Sequence, residues 1–345
     1  MTDVARIAGV SQTSVSLILN RATSARISQA TRARVVAAAK AIGYELPGAR
    51  RPFLGASQRN VIAYIVDEIS TSPHPVVSLD GVRDAGWESG FLVAAHVTRS
   101  SPDLEAMTIE SILRDPSVMG VIYSTIFTRR VSPPSALFKL PTVLLNCHAD
   151  RRAHAIVPGE VAGARVATQY LLSKGHRRIG FINGEPWMEA SVDRLEGYRQ
   201  ALADAGVAFD PDLVRDGDWL PLQGYQLGME LLASPDAPSA IFCANDLMAM
   251  GALEAASKLG LRVPDDLSIM GYDDQELARY THPPLSTLVL PNYEMGRRAA
   301  ELLIDLAFHQ KKLRPMTIEI DGPLIERNSV AAPRVDARPL TTVGE

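Results

Sequence analysis

The sequence predicts a mixed architecture: an N-terminal three-helix helix-turn-helix domain, then an α/β body of two doubly wound parallel-sheet subdomains. Two short helical patterns, separated by the single glycine Gly9, open the chain as TDVARIAGVSQTSVSLILN. From residue 61 onward, apolar runs of strand length alternate with helical patterns, which implies parallel strands joined by crossover helices. The alternation starts afresh after about residue 158, and 345 residues exceed what one ordinary core holds.

In the head, Asp3 is suited to cap a first helix whose Val4, Ile7 and Ala8 recur at i, i+3, i+4. Ser11 can cap a second helix in which Val15, Ile18 and Leu19 repeat that spacing. In such a pair the second helix can lie in a DNA major groove. Its polar face carries Ser11, Gln12, Thr13, Ser16 and Asn20, short hydrogen-bonding groups with no carboxylate. An ordinary helical hairpin with a polar outer face is the alternative. Ser28 caps a third helix with Val35, Val36, Ala39 and Ile42 as its buried stripe, Arg32, Arg34 and Lys40 outward, and Gly43 as the residue after its end. The head is thus 1–44, and ELPGARRPFLGASQRN (45–60) is a linker.

The first half begins with VIAYIV (61–66), then a helix over 77–88, FLVAAHV, a helix over 104–113, GVIYSTI and TVLLN. The second half has a helix over 161–174, RIGFIN, a helix over 192–205, the polar segment LVRDGDW, a helix over 223–233, AIFCAN, a helix over 247–259 and LSIMGYD. STLVLP, a helix over 293–308 and MTIEID close the chain. One subdomain is 61–157 plus 290–320 and the other 158–289 plus 321–330; the Pro-rich tail 331–345 is expected to be disordered. Ligands in such sheets bind outside the carboxyl ends of the strands.

Hydrophobic residues make up 46% of the chain and mean hydropathy is +0.03, values of a soluble globular protein. No apolar run reaches the ~18–20 residues that span a bilayer, and no secretory signal opens the chain, so a cytoplasmic protein with no membrane partner is expected. Cys147 and Cys243 sit in apolar runs, as packing residues rather than a disulfide or metal pair. The seven histidines lack ligand spacing, so neither a metal site nor a cofactor is expected. Charge is divided sharply. Residues 1–59 hold nine basic side chains against Asp3 and Glu45, a net +7, and the total of −4 leaves −11 for the rest. A basic head on an acidic body suits phosphate binding at one end only.

Three stretches identify the chain as resembling the LacI/GalR transcription factors: the opening segment, RISQATRARVVAAAKAIGY, and CANDLMAMGALEAASKLGLRVPDDLSIMGYDD with PPLSTL. The resemblance runs from Thr2 to about Arg327. It implies a homodimer on a pseudo-palindromic operator, with a body built like periplasmic sugar-binding proteins. Ser11, Gln12, Thr13, Ser16 and Asn20 fall on the family's groove and phosphate contacts, with Gln12 and Thr13 at the base-choosing positions. Where the family commonly has arginine, this chain has Leu17, so the strongest guanine contact is expected to be missing. Leu17 either meets a thymine methyl or packs inward beside Ile18. Arg26, Ser28 and Thr31 match backbone-contacting positions. The linker matches the family's hinge helix, and by spacing Leu54 is its minor-groove wedge, or else packs on the body. Pro52 and Gly48-Ala49 depart from the family's hinge, so that helix starts near Arg50–Arg51 or is short. The chain begins directly at helix 1, so its natural start is expected a few residues upstream.

For the body, the resemblance implies an effector site. Arg194 (in SVDRLEGY) matches the family's effector-binding arginine, Asp273 (in GYDD) its acidic partner, and Trp219 an aromatic cover. Asn146 and Asn245 end strands, and His74 and Trp187 lie in loops after others; Trp187 could equally be a packing residue. Asp246 is the expected N-cap of its helix. Pro158-Gly159-Glu160 stands where many members have Asp-Asn, so contacts there do not carry over. The implied function is a repressor whose operator affinity is controlled by a mono- or oligosaccharide. Alternatives are a nucleobase-responsive corepressor form and a transport-type sugar-binding protein, the latter opposed by the basic head. An enzyme is opposed by the absence of a phosphate loop or dinucleotide fingerprint after VIAYIV. Arg194→Ala and Asp273→Ala should abolish ligand response while leaving operator binding intact.

Overall fold

The computed structural model describes residues 2–19, 27–42, 44, 59–150, 153–308 and 314–334. Asn20, Arg26, Gly43, the hinge with Pro52 and Leu54, and the tail from 335 lie outside them. The head consists of α1 (Thr2–Ala8), α2 (Gln12–Leu19) and α3 (Gln29–Ala41). Gly9, at φ +63°, turns the chain between the first two. Its amide reaches Arg6 O and that of Val10 reaches Ala5 O at 3.1 Å, the paired bonds that close a helix on a left-handed residue. Ser11 Oγ accepts from Ser14 N at 3.1 Å, and Ser28 Oγ from Thr31 N at 3.1 Å, so both serines cap as expected.

The buried stripe of the head is Val4, Ala5, Ala8, Val15, Ile18, Val35, Ala38 and Ala39. Ile7 and Val36 are instead 47% and 53% exposed, and Ile42 is also exposed. Bulk marks an apolar position in sequence, yet small alanines at 5 and 38 are what let three short helices approach closely. Asp3 lies within the first turn of α1 rather than at its cap, pairing with Arg6 at 3.5 Å.

The body contains β1 (Val61–Val66), α4 (His74–Glu88), β2 (Leu92–Val97), α5 (Pro102–Arg114), β3 (Val118–Arg130), β4 (Thr142–His148) and β5 (His154–Pro158). There follow α6 (Glu160–Ser173), β6 (Ile179–Asn183), α7 (Glu189–Asp204), β7 (Val214–Asp216), α8 (Pro221–Leu232), β8 (Ala240–Cys243), α9 (Asp246–Lys258) and β9 (Ser268–Asp273). The chain ends through β10 (Ser286–Val289), α10 (Asn292–Phe308), β11 (Thr317–Ile320) and β12 (Leu324–Ile325). Two six-stranded sheets result, ordered β2-β1-β3-β4-β5-β11 and β7-β6-β8-β9-β10-β12. Every pairing is parallel except β10 with β12. The chain passes between the two lobes three times, at 158–160, 289–292 and 320–324.

Both faces of the first sheet are covered, which explains the unbroken apolar run of β1. Ile62, Tyr64 and Val66 pack with Val82 of α4 and Met295 and Ala299 of α10, whereas Ala63 and Ile65 pack with Ile109 and Ile112 of α5. Cys147 and Cys243 are both buried free thiols, and burial pushes the Cys147 thiol up to about 12. Among the described residues no helix is long and apolar enough to cross a membrane.

Residues 331–334 correct the expected extent of the tail. Ala331 N donates to Ser268 Oγ at 3.0 Å, and Arg334 pairs with Asp266. Ala331 O also meets the Nε2 of His176 at 2.8 Å, while Ser239 Oγ lies 2.8 Å from its Nδ1. Burial pushes the His176 pKa down, with the Ala331 carbonyl opposing. The unfolded chain therefore takes up the proton more readily, so the contribution of His176 is full above pH ~6.5 and fades as pH falls below it. Urea midpoints should drop from about pH 6.5 to 5, and His176→Gln should flatten that slope; an unchanged slope would exclude His176 as the source.

Candidate functional site

The carboxyl ends of the second sheet's strands converge on a buried polar cluster. Arg194, three residues after Ser191 on the buried side of α7, is 3% exposed. Its Nε and Nη2 donate to Glu160 Oε2 and Oε1 at 2.7 and 2.8 Å, and its Nη1 donates to Ala244 O. The guanidinium lies 3.8 Å from the centroid of Tyr272 and 5.5 Å from that of Trp219. Burial alone would lower its pKa, but Glu160, together with Tyr272 and Asp273, outweighs this and holds it above its ordinary value. Burial first, then Glu160, pushes the Tyr272 hydroxyl well up.

Asp273 ends β9 at φ +107°, and Asn146, Trp219 and Asp274 are also in the left-handed region. Such backbone clusters where surrounding structure over-determines a site. Asp273 Oδ2 accepts from Gln275 Nε2 at 3.0 Å and faces His74 Nε2 across the lobes at 3.5 Å. Its Oδ1 stands 3.9 Å from Arg194 Nη1, beyond hydrogen-bond reach. Asn292 Nδ2 lies 3.1 Å from His74 Nδ1, and Asn292 Oδ1 is within reach of Ser78 Oγ, which holds the ring with Nε2 toward Asp273. At the lip, Trp187 is 65% exposed and sits edge-on to Phe127 of the other lobe at 5.5 Å. His148 Nε2 and Arg130 N meet Glu189 at 2.9 and 3.1 Å, two more contacts between lobes.

Asn245, rather than Asp246, caps α9: its Oδ1 accepts from Met248 N at 2.8 Å. Its Nδ2 holds Trp219 O at 2.9 Å, fixing the loop that presents the indole. That ring lies flat against Gly184, where a Cβ would stand 1.9 Å from Trp219 Cζ2, so the approach requires glycine. Asp246 is fully buried, accepting from Thr287 Oγ1 at 2.6 Å and Gln275 N at 2.8 Å; burial first, then Asp273, pushes its carboxyl well up.

The structure thus brings Arg194, Trp219, Asn245 and Asp273 together and sets His74 against them from the first lobe. Trp187 is at the rim. Asn146 makes its side-chain bonds within the first lobe, to Thr125 O at 3.0 Å and from Thr128 Oγ1 at 2.6 Å. Sequence reasoning missed Glu160 and Tyr272 as members, and also Asn183 and Ser191. Asn183 Oδ1 and Ser191 Oγ are buried with no hydrogen-bond partner among the described residues.

In the head, Ser11, Gln12 and Thr13 are exposed, Ser16 and Leu17 half-buried, and Val15 and Ile18 buried. Ser28 and Thr31 engage each other at the start of α3, Oγ to Oγ1 at 2.8 Å. A helix-turn-helix head joined to a two-lobed body with a polar cleft defines the class of ligand-responsive DNA-binding regulators.

Residues 1–45 match the model for bacterial regulatory proteins of the lacI family, and residues 168–330 that for the periplasmic binding protein-like domain. The HTH-type transcriptional repressor PurR of Proteus mirabilis is 31% identical over 341 residues, covering 97% of this chain and 98% of its own. The transcriptional regulator CelR in complex with cellobiose is 31% identical, covers 95% of this chain and 98% of its own, and superposes with a TM-score of 0.65. The lac repressor dimer bound to operator and the anti-inducer ONPF is 26% identical over 96% and 98%, with a TM-score of 0.67. The chain belongs to the LacI family of DNA-binding transcriptional regulators, and it is not an enzyme.

Proposed function

We propose that this regulator is a cytoplasmic homodimeric repressor whose affinity for a pseudo-palindromic operator is set by a mono- or oligosaccharide held between its lobes. The gap between Arg194 Nη1 and Asp273 Oδ1 carries this reading. A sugar hydroxyl placed there accepts from the guanidinium and donates to the carboxylate, while the Trp219 face covers the ring's apolar side. His74, Trp187 and Asn245 complete the set at the edges, and Asn146 shapes the first-lobe wall. Sugar binding changes the set of contacts between lobes, His74 to Asp273 among them, and so shifts the spacing of paired heads. On DNA, Ser11, Gln12, Thr13, Ser16 and Leu17 face the groove, with Ser28 and Thr31 near phosphates; Asn20, Arg26 and Leu54, outside the described residues, keep the roles the resemblance implies.

The PurR relatives favour a second reading, a nucleobase corepressor. The segment from the end of β1 into α4 supplies Ser72-Pro73-His74 there and no Phe, Tyr or Trp, which favours the sugar. A thermal-shift screen of mono- and disaccharides beside purines tests both. A ligand at 100-fold its Kd stabilises by about 2.7 kcal/mol, and Asp273→Ala should erase that gain while operator binding in a gel shift persists. A full shift in Asp273→Ala would remove Asp273 from the site.

A further inference from the structure

The internal occupancy of Arg194 restricts the charge of whatever binds beside it. The edge of a guanidinium formed by Nε and one Nη is the fork that matches a carboxylate or phosphate. Here Glu160 fills that fork with two bonds of 2.7 and 2.8 Å, and both side chains are at least 95% buried. Only the Nη1 edge turns toward Asp273, and it already serves Ala244 O. Among the described residues, Arg194 thus stands between two carboxylates, Glu160 and Asp273, with Asp246 buried behind. Asp193, beside Arg194 in sequence, is pushed up by burial and by Glu160, Glu189 and Glu319, as expected in surroundings of negative potential. His74 Nε2 faces Asp273 from the first lobe at 3.5 Å. On the first lobe, Arg129 near the end of β3 gives its Nη2 to Asp67 at 2.9 Å, while its Nε is buried without a hydrogen-bond partner among the described residues.

We propose that the effector carries no negative charge, and that Glu160 is the specificity-determining residue that enforces this by occupying the anion-binding fork of Arg194. A neutral polyol uses the single donor and acceptor left at Nη1 and Oδ1, and an amino sugar gains from the surplus carboxylate. A uronate or sugar phosphate finds the fork of Arg194 taken by Glu160 and meets Asp273. Like-charge contact of that kind costs several kcal/mol, so discrimination of about 100-fold in Kd is expected. This rests on the reading that the effector occupies the cleft, but not on its being a sugar.

Calorimetric titration of the full-length protein with two matched series tests it: glucose, glucosamine, glucuronate and glucose 6-phosphate with cellobiose and cellobionate, then inosine and inosine 5′-monophosphate. Within whichever series binds, the uncharged member should bind about 100-fold more tightly than its anionic partner, and Glu160→Gln should narrow that gap to below about 10-fold. Should Glu160→Gln not fold, the wild-type comparison decides alone. An anionic sugar binding as tightly as its neutral partner overturns the inference and upholds the sugar reading. Response to inosine over its monophosphate, with no sugar response, upholds the inference and removes the sugar. A folded Glu160→Gln with the gap intact overturns the role of Glu160, and silence in both series overturns the inference and the cleft assignment together.

Discussion

Arg194→Ala should lower stability by about 3–5 kcal/mol, because it strands the Glu160 carboxylate in a buried site. Arg194 and Glu160 are 3% and 4% exposed, so solvent screens neither. The guanidinium also caps the Tyr272 ring and ties α7 to the end of β8 through Ala244 O. Against a total stability of about 5–15 kcal/mol, the loss is a large fraction. Operator binding at a given protein concentration should then fall only in proportion to the unfolded share, while the folded fraction binds as wild type does. Glu160→Ala should be comparably damaging, since it leaves the cation unpaired, whereas Arg194→Met with Glu160→Leu should recover most of the loss. Equilibrium urea unfolding of the three variants measures this. A loss below about 1 kcal/mol for either single change would mean that water reaches the pair.

This case marks the boundary of what the residues disclosed before any coordinates. Strands buried on both faces, such as β1 and β8, are legible because every position is apolar. β7 and β12 escaped because they have three and two residues and β7 is the polar edge Val-Arg-Asp, whereas β5, longer than β8, escaped because His154 and Pro158 cut its apolar run short. Arg194 and Asp273 could be singled out through the resemblance, yet the partner that governs Arg194 could not. Glu160 lies 34 residues away, and only the crossover at 158–160 delivers it to α7. Asn245 and Asp246 pose a narrower problem. Either type can cap a helix, and the choice fell to Asn245 because Asp246 is claimed by Thr287 and Gln275, contributed by distant segments.

Leu17→Arg should turn an indifferent or thymine-preferring operator position into one that prefers guanine. At about 100° per residue, Leu17 lies about 200° around α2 from Val15 and about 40° from Thr13. Leu17 is half-buried beside a buried Ile18, so part of its side chain is open on that side of α2. Leucine and arginine have similar helix propensity, so the substitution leaves α2 intact. An arginine there can bond the O6 and N7 of guanine together, a contact worth about 1–3 kcal/mol of discrimination. Competition gel shifts with all four base pairs at each half-site position, at one fixed salt concentration, should show a 10- to 100-fold gain at a single position. A uniform rise in affinity across all sequences would instead place the new charge on phosphates. Wild type should show the complement: at that same position, replacing G·C with A·T costs it little, because a leucine side chain has no donor to leave unpaired.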